Sequence, residues 1–556
     1  MEEKNLVSNL KIMFLGGVGE IGKNMTVFQY EDDIIVVDAG LTFPSEDMPG
    51  IDLVVPDITY LVENKEKVKG IVLTHGHEDH IGGLPYMLGD ISAPIYGSRL
   101  TLALVENKMR EHQKIQYKSN TIKEGSVIKL GVFTVEFIRV NHSIAGSMAL
   151  AITTPVGIIV FTGDYKVDYT PMNGEIIDLA RFAELGKRGV LLLMADSTNA
   201  ERAGHSMSER VVGQALDEIF TENATRRLFV ATFSSNIHRL QQIFDLAVKH
   251  KRKVAFSGRS MLNVTDTAIK IGELRIDKEI IVDVEKADKY ADKELVIITT
   301  GSQGEPMSAL TRMAAGEFNK IKIGDNDTII LSSSSIPGNE KMINRVINNL
   351  VRLGANVIYN EIADVHASGH AYIDEIKLIH ALVKPRYFIP VHGEYKHLKA
   401  HADIAIIMGM QPRDVIMPDL GLCVELNKNV LKIAGTVPAG KRLVDGLGLG
   451  DLDSMVLKDR KQLAEDGLCI VVLGLSDDSS EIVSGPDIIT RGLIYSAEAS
   501  NMITEAKESI TEALKEIDLK QIDRLELKSI IRKALTTYFF KKTKRRPMVL
   551  PIILEQ

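Results

Sequence analysis

The stretch Thr74-His75-Gly76-His77-Glu78-Asp79-His80 holds three imidazoles and the carboxylate of Asp79 within six residues, in the pattern H-x-H-x-D-H. Neutral imidazole nitrogen and carboxylate oxygen both suit a borderline cation such as zinc. The stretch follows residues 68–73, an apolar and partly β-branched run that predicts a buried strand. A loop at the carboxyl end of a strand is a rigid support for chemistry, so we expect the fold to be organised around this loop.

The spacing within this stretch divides the donors between two candidate ions. In an extended segment, residues i and i+2 point to the same side, so we expect His75 and His77 to bind one ion together. If the chain turns after them, Asp79 and His80 face a second ion. A lone histidine is more often a packing or surface residue, but four such groups buried without partners would be costly. The array therefore predicts a metal site.

These four residues resemble the signature of the metallo-β-lactamase superfamily of binuclear hydrolases. Together with Ile-Gly-Gly at 81–83 and Gly-Glu-Ile-Gly-Lys at 19–23, the whole chain resembles one branch, the bacterial ribonuclease J enzymes. The resemblance implies an α/β fold with a metallo-β-lactamase αββα sandwich, an inserted doubly wound β-CASP domain and a small α/β C-terminal domain. The predicted boundaries are 1–205 and 358–445 for the two parts of the metallo-β-lactamase domain, 206–357 for the β-CASP domain, 446–452 for a linker and 453–556 for the C-terminal domain.

The composition limits the class of protein. At 556 residues the chain is too long for a single core, and 45% hydrophobic with 25% charged residues is typical of a soluble globular protein. A net charge of -8 excludes a general basic coat but leaves room for a local positive groove. The two cysteines, Cys423 and Cys469, lie in apolar runs and are predicted to be buried and unpaired. With no signal peptide or membrane-spanning segment recognised, we expect a cytoplasmic protein without a membrane partner.

A literal G-x-G-x-x-G at Gly17, Gly19 and Gly22, with Asp38 downstream, suggests a nicotinamide site as an alternative. That fingerprint requires a helix after the glycines. Here residues 25–30 and 34–38 form two strand-like runs separated by a polar turn. The sequence therefore predicts the first strands of the lactamase sheet and no dinucleotide site.

Isolated donors also stand at the ends of later predicted strands. The resemblance makes His142 a ligand of the first ion, Asp164 a carboxylate that bridges both ions, and His392 a ligand of the second. Asp196 matches the first β-CASP motif, which orients neighbouring ligands; the alternative is a helix N-cap, and both roles are compatible. RNA-directed members of this branch carry histidine at the position of His392, whereas DNA-directed members tend to carry valine, so His392 points to RNA.

Alternating strand and helix patterns from about residue 206 predict a doubly wound parallel sheet. Its loops at 234–236, 258–260, 301–306 and 332–335 are rich in serine and glycine, which suits phosphate or sugar oxygens. Ordinary capping and turn chemistry is the alternative for any one loop. The resemblance makes His370 the contact to the scissile phosphate and predicts a pocket for a 5′ monophosphate nucleotide from Ser235, Asn236, His366, Ser368 and His370.

The last hundred or so residues predict a compact α/β domain after a glycine-spaced linker. We expect strands near 454–456 and 468–473 and a long helix over 497–517. The basic run at 540–547 predicts either contact with RNA phosphates or a solvated face. In relatives this domain supports self-association, which implies a homodimer or homotetramer, or assembly with a paralogue.

The resemblance implies a metal-dependent ribonuclease with 5′-to-3′ exonuclease and endonuclease activity in RNA maturation and mRNA decay. The resemblance also implies two divalent ions per subunit. The histidines favour zinc, and manganese or magnesium could support turnover. The predicted ligand sets are His75, His77, His142 and Asp164 for the first ion, and Asp79, His80, His392 and Asp164 for the second.

In this mechanism the ions activate a water that attacks phosphorus and leaves a 5′ phosphate and a 3′ hydroxyl. Asp79 orients the water, and His370 neutralises a phosphate oxygen or assists the leaving group.

Three rival functions would use the same metal-binding loop at residues 74–80. A thioesterase or lactamase would not need the inserted domain, and a DNA nuclease is disfavoured by His392. A catalytically weak RNA-binding subunit of a mixed ribonuclease J complex is the main alternative. Because every predicted ligand position is filled, the sequence favours an active enzyme that prefers RNA with 5′ monophosphate ends.

Overall fold

The computed structural model describes residues 8–45, 47–172, 174–305, 308–333, 339–446, 448–450, 454–476, 481–493, 499–515 and 517–555. These residues form two compact units. The first contains the chain up to Thr42 and Val55–Lys441, and the second contains Phe43–Val54 and the chain from Arg442 onward. The finer domain boundaries given above remain predictions.

An eight-stranded sheet begins the first unit. The apolar run Leu10–Gly16 is buried along most of its length, as expected of a strand covered on both faces. Antiparallel pairing joins it to Met25–Tyr30 and then to Asp33–Val37, which confirms the predicted strand pair after the glycine motif. The strands lie in the order Leu431–Thr436, Leu422–Leu426, Leu10–Gly16, Met25–Tyr30, Asp33–Val37, Val68–Val72, Ile95–Gly97 and Ser119–Thr121.

A six-stranded sheet packs against the first. Its strands lie in the order Tyr387–Val391, Val190–Asp196, Gly157–Phe161, Met148–Thr154, Phe133–Arg139 and Val127–Leu130. One hydrophobic core contains side chains from both sheets, including Phe14, Phe28, Phe137 and Phe161. Separate cores lie on the outer faces, where helices such as Arg99–Met109 cover them. This layering is the predicted αββα sandwich.

The predicted doubly wound sheet is confirmed within the first unit. All its strand pairs are parallel, in the order Ile281–Val282, Lys253–Ser257, Leu295–Thr299, Arg227–Ala231, Asp327–Leu331 and Asn356–Ile358. The strands are almost wholly buried because helices cover both faces. Parallel strands end at the same edge, so the loops after them share that edge. Residues 306, 307, 334 and 335 of the predicted loops lie outside the described part of the chain.

Helices cover the sheets of the first unit. One helix occupies Arg99–Met109 and continues as a 3₁₀ turn, Arg110–His112. The others are Thr59–Glu63, Glu78–Ile81, Leu84–Met87, Leu179–Arg188, Glu209–Glu222, Ile237–Lys249, Arg259–Lys270, Ala309–Ala314, Glu340–Arg352, Ile373–Val383 and Tyr395–Ile407.

The second unit has its own sheet and core. The strands Ile482–Arg491, Leu468–Leu475 and Met548–Glu555 lie in that order, and Ala499–Leu514 and Arg524–Thr543 pack on one face. The strand predicted near 454–456 is wrong, because Ser454–Asp466 is a helix. Charged and polar residues after Val456 leave no alternating strand pattern for that run to continue.

A short three-stranded sheet includes part of the predicted linker. It comprises Gly448–Gly450, Lys441–Asp445 and Leu53–Pro56, in that order. Residues 447, 451 and 452 of the linker lie outside the described residues.

Both cysteines are buried and form no disulfide, as predicted. Burial raises the pKa of Cys469 to about 12, so this thiol is a packing group rather than a nucleophile. Within the described ranges, none of the helices combines the length and the apolar character needed to cross a bilayer.

Candidate metal centre

The predicted donors meet at one edge of the sandwich because each follows a strand of one of its two sheets. His75 and His77 follow Val68–Val72, and the single-turn helix Glu78–Ile81 then carries Asp79 and His80. The remaining donors come after Phe133–Arg139, Gly157–Phe161 and Tyr387–Val391; they are His142, Asp164 and His392. The structure therefore brings together all seven residues predicted to bind metal.

The first group consists of three imidazoles. His77 Nδ1 lies 3.0 Å from His75 Nε2 and 3.1 Å from His142 Nε2. The oxygen Oδ2 of Asp164 lies 3.7 Å from Nε2 of both His75 and His142. Three nitrogens that face one another at such distances suit a cation placed among them.

The second group shares the same carboxylate oxygen. Asp164 Oδ2 lies 3.3 Å from His80 Nε2 and 3.4 Å from His392 Nε2. Asp79 Oδ2 lies 3.5 Å from His80 Nε2 and 3.4 Å from His392 Nε2. Candidate donor atoms of Asp79, His80, Asp164 and His392 all lie within 4.8 Å of one another. Asp164 thus stands between the two groups.

Hydrogen bonds behind the imidazoles direct their free nitrogens to the centre. His80 Nδ1 donates to Asp38 Oδ2 at 2.8 Å. Thr74 Oγ1 donates to the same carboxylate at 2.8 Å and accepts from His75 Nδ1 at 3.1 Å. His142 Nδ1 donates to the Gly369 carbonyl at 2.6 Å. In each ring Nδ1 carries the proton, which leaves the Nε2 lone pair for a metal.

A second chain of hydrogen bonds fixes His392. Thr198 Oγ1 donates to Asp196 Oδ1 at 2.7 Å and accepts from His392 Nδ1 at 2.7 Å. The His392 amide donates to the Gly17 carbonyl at 3.0 Å. The glycine motif therefore holds the backbone of His392, and Asp196 orients this predicted ligand through Thr198.

Two residues of this centre hold the left-handed backbone conformation. Asp38 has φ of 63° and His392 has φ of 57°. For residues other than glycine this conformation costs roughly 1–3 kcal/mol and persists where surrounding contacts enforce it. Both side chains sit directly after a strand, so the strained backbone turns them toward the centre.

The buried carboxylates of the centre need positive charge beside them, from protonated imidazoles or from metal ions. Burial lowers the pKa of His77 to about 4 and holds those of His75 and His142 well below the usual range, so these rings are neutral. Burial disfavours the ionised form of Asp164, but nearby His392 and His80 hold its pKa below the usual range. Burial also opposes protonation of His80 and His392, yet the adjoining carboxylates raise the pKa of both.

The residues present fit a pair of divalent ions. Within the described chain, Asp164 Oδ1 is a buried oxygen with no hydrogen-bond partner, although buried carboxylate oxygens are normally paired. In the metal-free protein, protons on His80 and His392 supply the positive charge that the carboxylates require. Metal binding would replace those protons.

His370 lies beside the two groups without joining either predicted ligand set. Its Nδ1 donates to Asp196 Oδ2 at 2.7 Å and lies 4.0 Å from Asp164 Oδ2. Burial lowers the pKa of His370, but Asp196 and Asp164 raise it overall above its ordinary value. The side chain of His370 is 21% exposed, so the ring borders the centre without being sealed from solvent.

The predicted phosphate-pocket residues have mixed surroundings. Asn236 caps the helix Ile237–Lys249, because its Oδ1 accepts from the Arg239 amide at 3.0 Å, so the capping alternative holds for this side chain. Ser368 Oγ accepts from Asn199 Nδ2 at 2.7 Å and from the His370 amide at 3.3 Å. Ser235 is half-buried before the same helix. His366 Nδ1 is buried with no hydrogen-bond partner among the described residues.

Apart from Asp196, sequence reasoning missed the residues that orient the ligands. Asp38 entered it only as a possible ribose contact, and Thr198 and Asn24 did not enter it at all. Asn24 Nδ2 donates to the Asp79 carbonyl at 3.0 Å and to Asp79 Oδ2 at 3.2 Å. One signal was present for Asp38, because it is an acidic residue directly after a predicted strand, as Asp164 is.

Replacement of Asp38 by Asn tests this orienting role. We expect metal affinity at the second group to fall about 10- to 100-fold, because the amide no longer fixes the His80 tautomer. Competition with a chromogenic chelator measures the affinity, and Asp266→Asn, on the exposed face of the helix Arg259–Lys270, is the control. Unchanged affinity in Asp38→Asn would show that the bond to His80 has no such role.

Family models match most of the chain. They describe the metallo-β-lactamase superfamily at residues 18–182, the ribonuclease J β-CASP domain at 225–350, a Zn-dependent metallo-hydrolase RNA specificity domain at 355–418 and the ribonuclease J C-terminal domain at 455–556. A solved structure from Enterococcus faecalis V583, titled as a protein of unknown function, shares the fold. It is 18% identical, has a TM-score of 0.54 and covers 75% of this chain and 100% of its own.

Curated relatives match over nearly the full length. The chain is 42% identical to ribonuclease J2 of Bacillus subtilis over 558 residues, which cover 100% of both chains. It is 42% identical to ribonuclease J of Thermus thermophilus, over 98% of this chain and 95% of the relative. It is 44% identical to ribonuclease J of Synechocystis, over 89% of this chain and 77% of the relative. By its domains and its full-length similarity, the chain belongs to the ribonuclease J family of the metallo-β-lactamase superfamily.

Proposed function

We propose that this protein is a metal-dependent ribonuclease that binds two divalent ions, with Asp164 between them. The observation that carries the proposal is that Asp164 Oδ2 lies within 3.7 Å of imidazole nitrogens of both donor groups. The other oxygen of this carboxylate is buried without a hydrogen-bond partner among the described residues. The histidine-rich donor set favours zinc, and manganese or magnesium are alternative ions for turnover.

RNA is the proposed substrate. Support comes from the match to an RNA specificity domain and from relatives whose names are ribonuclease J. His392 agrees with this assignment, since it fills the position where RNA-directed members of the branch carry histidine. Turnover in RNA maturation and mRNA decay in the cytoplasm is the role that we assign to it.

In the proposed reaction a water attacks phosphorus in line, leaving a 5′ phosphate and a 3′ hydroxyl. Divalent ions held by the two groups would supply Lewis acidity, which would lower the pKa of a water and stabilise negative charge on the phosphate oxygens. Asp79 orients the attacking water, because its carboxylate lies at the open side of the second group and is 31% exposed. Asn24 holds that carboxylate in place through its side-chain amide.

His370 acts on the phosphate in this proposal. Asp196 accepts the Nδ1 proton and stabilises the imidazolium, so Nε2–H is free to donate. A cationic donor at that point neutralises a non-bridging oxygen or delivers a proton to the leaving group. Asp196 therefore acts twice, through His370 and through His392.

Both exonucleolytic and endonucleolytic cleavage belong to the proposal. A pocket made by Ser235, Asn236, His366, Ser368 and His370 would hold a 5′ monophosphate and so direct 5′-to-3′ digestion. Its polar groups include the side chain of Asn236, whose Oδ1 caps the following helix, and Nδ1 of His366, which has no hydrogen-bond partner among the described residues. Internal cleavage requires only that RNA reach the metals without a 5′ end in this pocket.

Digestion of matched transcripts tests the proposed pocket. We expect RNA with a 5′ monophosphate to be degraded at least about tenfold faster than the same RNA with a 5′ triphosphate, which corresponds to about 1.4 kcal/mol. The measurement is the rate of mononucleotide release with manganese present, and circular RNA of the same sequence reports internal cleavage alone. Equal rates for the two linear transcripts would mean that the pocket assignment is wrong.

The proposal includes assembly as a homodimer or homotetramer, or together with a paralogue. Light scattering of the purified protein would give the mass of the assembly. The rival proposal, an RNA-binding subunit with weak activity, predicts RNA binding without release of mononucleotide.

A further inference from the structure

The guanidinium of Arg239 is buried at the edge of the doubly wound sheet where the serine- and glycine-rich loops predicted to contact RNA lie. Arg239 is 0% exposed, and it makes polar contacts with four other residues. Nη2 donates to Glu209 Oε2 at 2.6 Å and Nε donates to Gln242 Oε1 at 3.0 Å. Nη1 donates to Ser332 Oγ and, at 2.8 Å, to the Val365 carbonyl. The forked side chain thus joins four separate segments.

Arg239 touches both halves of the proposed 5′-phosphate pocket. On one side, its backbone amide donates to Asn236 Oδ1 at 3.0 Å and fixes the start of the helix that follows Ser235. On the other side, its guanidinium holds the Val365 carbonyl, directly before His366. The two halves are about 130 residues apart in sequence, and this one residue bonds to each.

The surrounding bonds make this arrangement rigid. Ser332 Oγ donates to the Val365 carbonyl at 2.7 Å, and Gln242 Nε2 donates to the Glu209 carbonyl at 2.7 Å. Glu209 is itself 5% exposed, so its pairing with Arg239 compensates a charge that burial would otherwise make costly.

We propose that Arg239 is a positioning residue that sets the spacing between the Ser235–Asn236 and His366–Ser368 halves of the 5′-phosphate pocket. The inference rests on the proposed function, because the pocket itself is part of that proposal. Lysine cannot replace the fork, since its ammonium is a single point charge whereas the guanidinium presents donors in a fixed plane. Burial and the nearby Arg239 also lower the pKa of His366 to about 3, so His366 enters the pocket as a neutral hydrogen-bonding ring.

Arg239→Lys is the main variant for the test. This change keeps the positive charge beside Glu209. It removes the forked donors, so one side chain can no longer bond the Val365 carbonyl and Gln242 Oε1 at the same time. The measurement is the ratio of kcat/KM for a 5′-monophosphate RNA to kcat/KM for the same RNA with a 5′ hydroxyl. We expect this ratio to fall by about tenfold, since small displacements of binding groups reduce rates by factors of this order or more.

Two further variants separate positioning from stability. Ser332→Ala removes the hydroxyl that bonds both Arg239 and Val365 while leaving the ion pair, and it should lower the ratio in the same direction. Arg252→Lys changes another buried guanidinium of the same sheet, which donates to the carbonyls of Arg226, Leu295, Asn223 and Ala224, remote in sequence from the pocket loops. That control should lower the melting temperature and leave the ratio unchanged.

The outcomes distinguish the inference from the function on which it rests. A wild-type protein that degrades RNA with no preference for the 5′ monophosphate would overturn the pocket and this role together. A wild-type preference that survives in folded Arg239→Lys and in Ser332→Ala would overturn the role of Arg239 alone. Loss of the preference in both variants but not in Arg252→Lys would support it.

Discussion

Replacement of Asp164 by Asn is expected to reduce RNA cleavage by at least about 1000-fold, since metal ions supply several kcal/mol of transition-state stabilisation. Asp164 Oδ2 lies within 3.7 Å of Nε2 in His75, His80, His142 and His392. Among the described residues, Asp164 is the carboxylate that lies close to imidazoles of both donor groups. An amide is a weaker ligand without negative charge, so bound metal should fall from two ions per chain to one or none.

Metal analysis by mass spectrometry and initial rates on one labelled RNA measure the two effects of Asp164→Asn. Asp266→Asn is the matched control, because it makes the same chemical change on an exposed helix face. Two ions retained in Asp164→Asn, together with turnover near that of the wild type, would contradict the bridging role.

Replacement of His370 by Ala should separate catalysis from metal binding. We expect turnover to fall about 10²- to 10⁴-fold, the contribution of a positioned general acid or base. Metal content should stay at two ions, because His370 donates Nδ1 to Asp196 and belongs to neither predicted ligand set. The expected signature is therefore an inactive protein that keeps its metal.

Parallel measurement of metal content and single-turnover rate tests His370→Ala. His205→Ala is the control, since this histidine is 51% exposed and lies 3.9 Å from Asp374, away from the predicted ligands. Loss of metal together with activity in His370→Ala would instead assign the ring to a ligand set.

The position of the metal centre was predictable because its signals are local. His75, His77, Asp79 and His80 occupy one short loop, and His142 and Asp164 each follow a run with a clear strand pattern. Strands with strong apolar patterns are the elements that sequence reasoning predicts best. The carboxyl ends of neighbouring strands then meet at one edge, which brings the isolated donors to the loop.

The residues that orient the ligands were less predictable, because their roles depend on contacts between distant parts of the chain. Asp38 accepts a hydrogen bond from His80 Nδ1, which lies 42 residues later in the sequence. Thr198 accepts one from His392 Nδ1, which lies 194 residues later. A single sequence carries no pattern for such pairs. The same limit applies to Arg239, whose partners Ser332 and Val365 come from later segments.

His380 and His401 match no predicted ligand position, and a histidine of that kind is expected on the surface or in packing. Both are buried, their Nε2 atoms lie 3.1 Å apart, and His401 Nδ1 lies 3.0 Å from Ser197 Oγ, next to Asp196. The packing role holds for both residues, and it supports the strand end that carries Asp196.

The most direct test of a two-metal ribonuclease is digestion of one RNA with a labelled 5′ monophosphate by the wild-type protein and by Asp79→Ala, with manganese present. The account predicts that the wild type alone releases labelled mononucleotide, because in the proposed reaction Asp79 both binds the second ion and orients the water. Failure of the wild type to cleave, with two ions shown to be bound, would contradict the account and favour an RNA-binding subunit that supports an active paralogue.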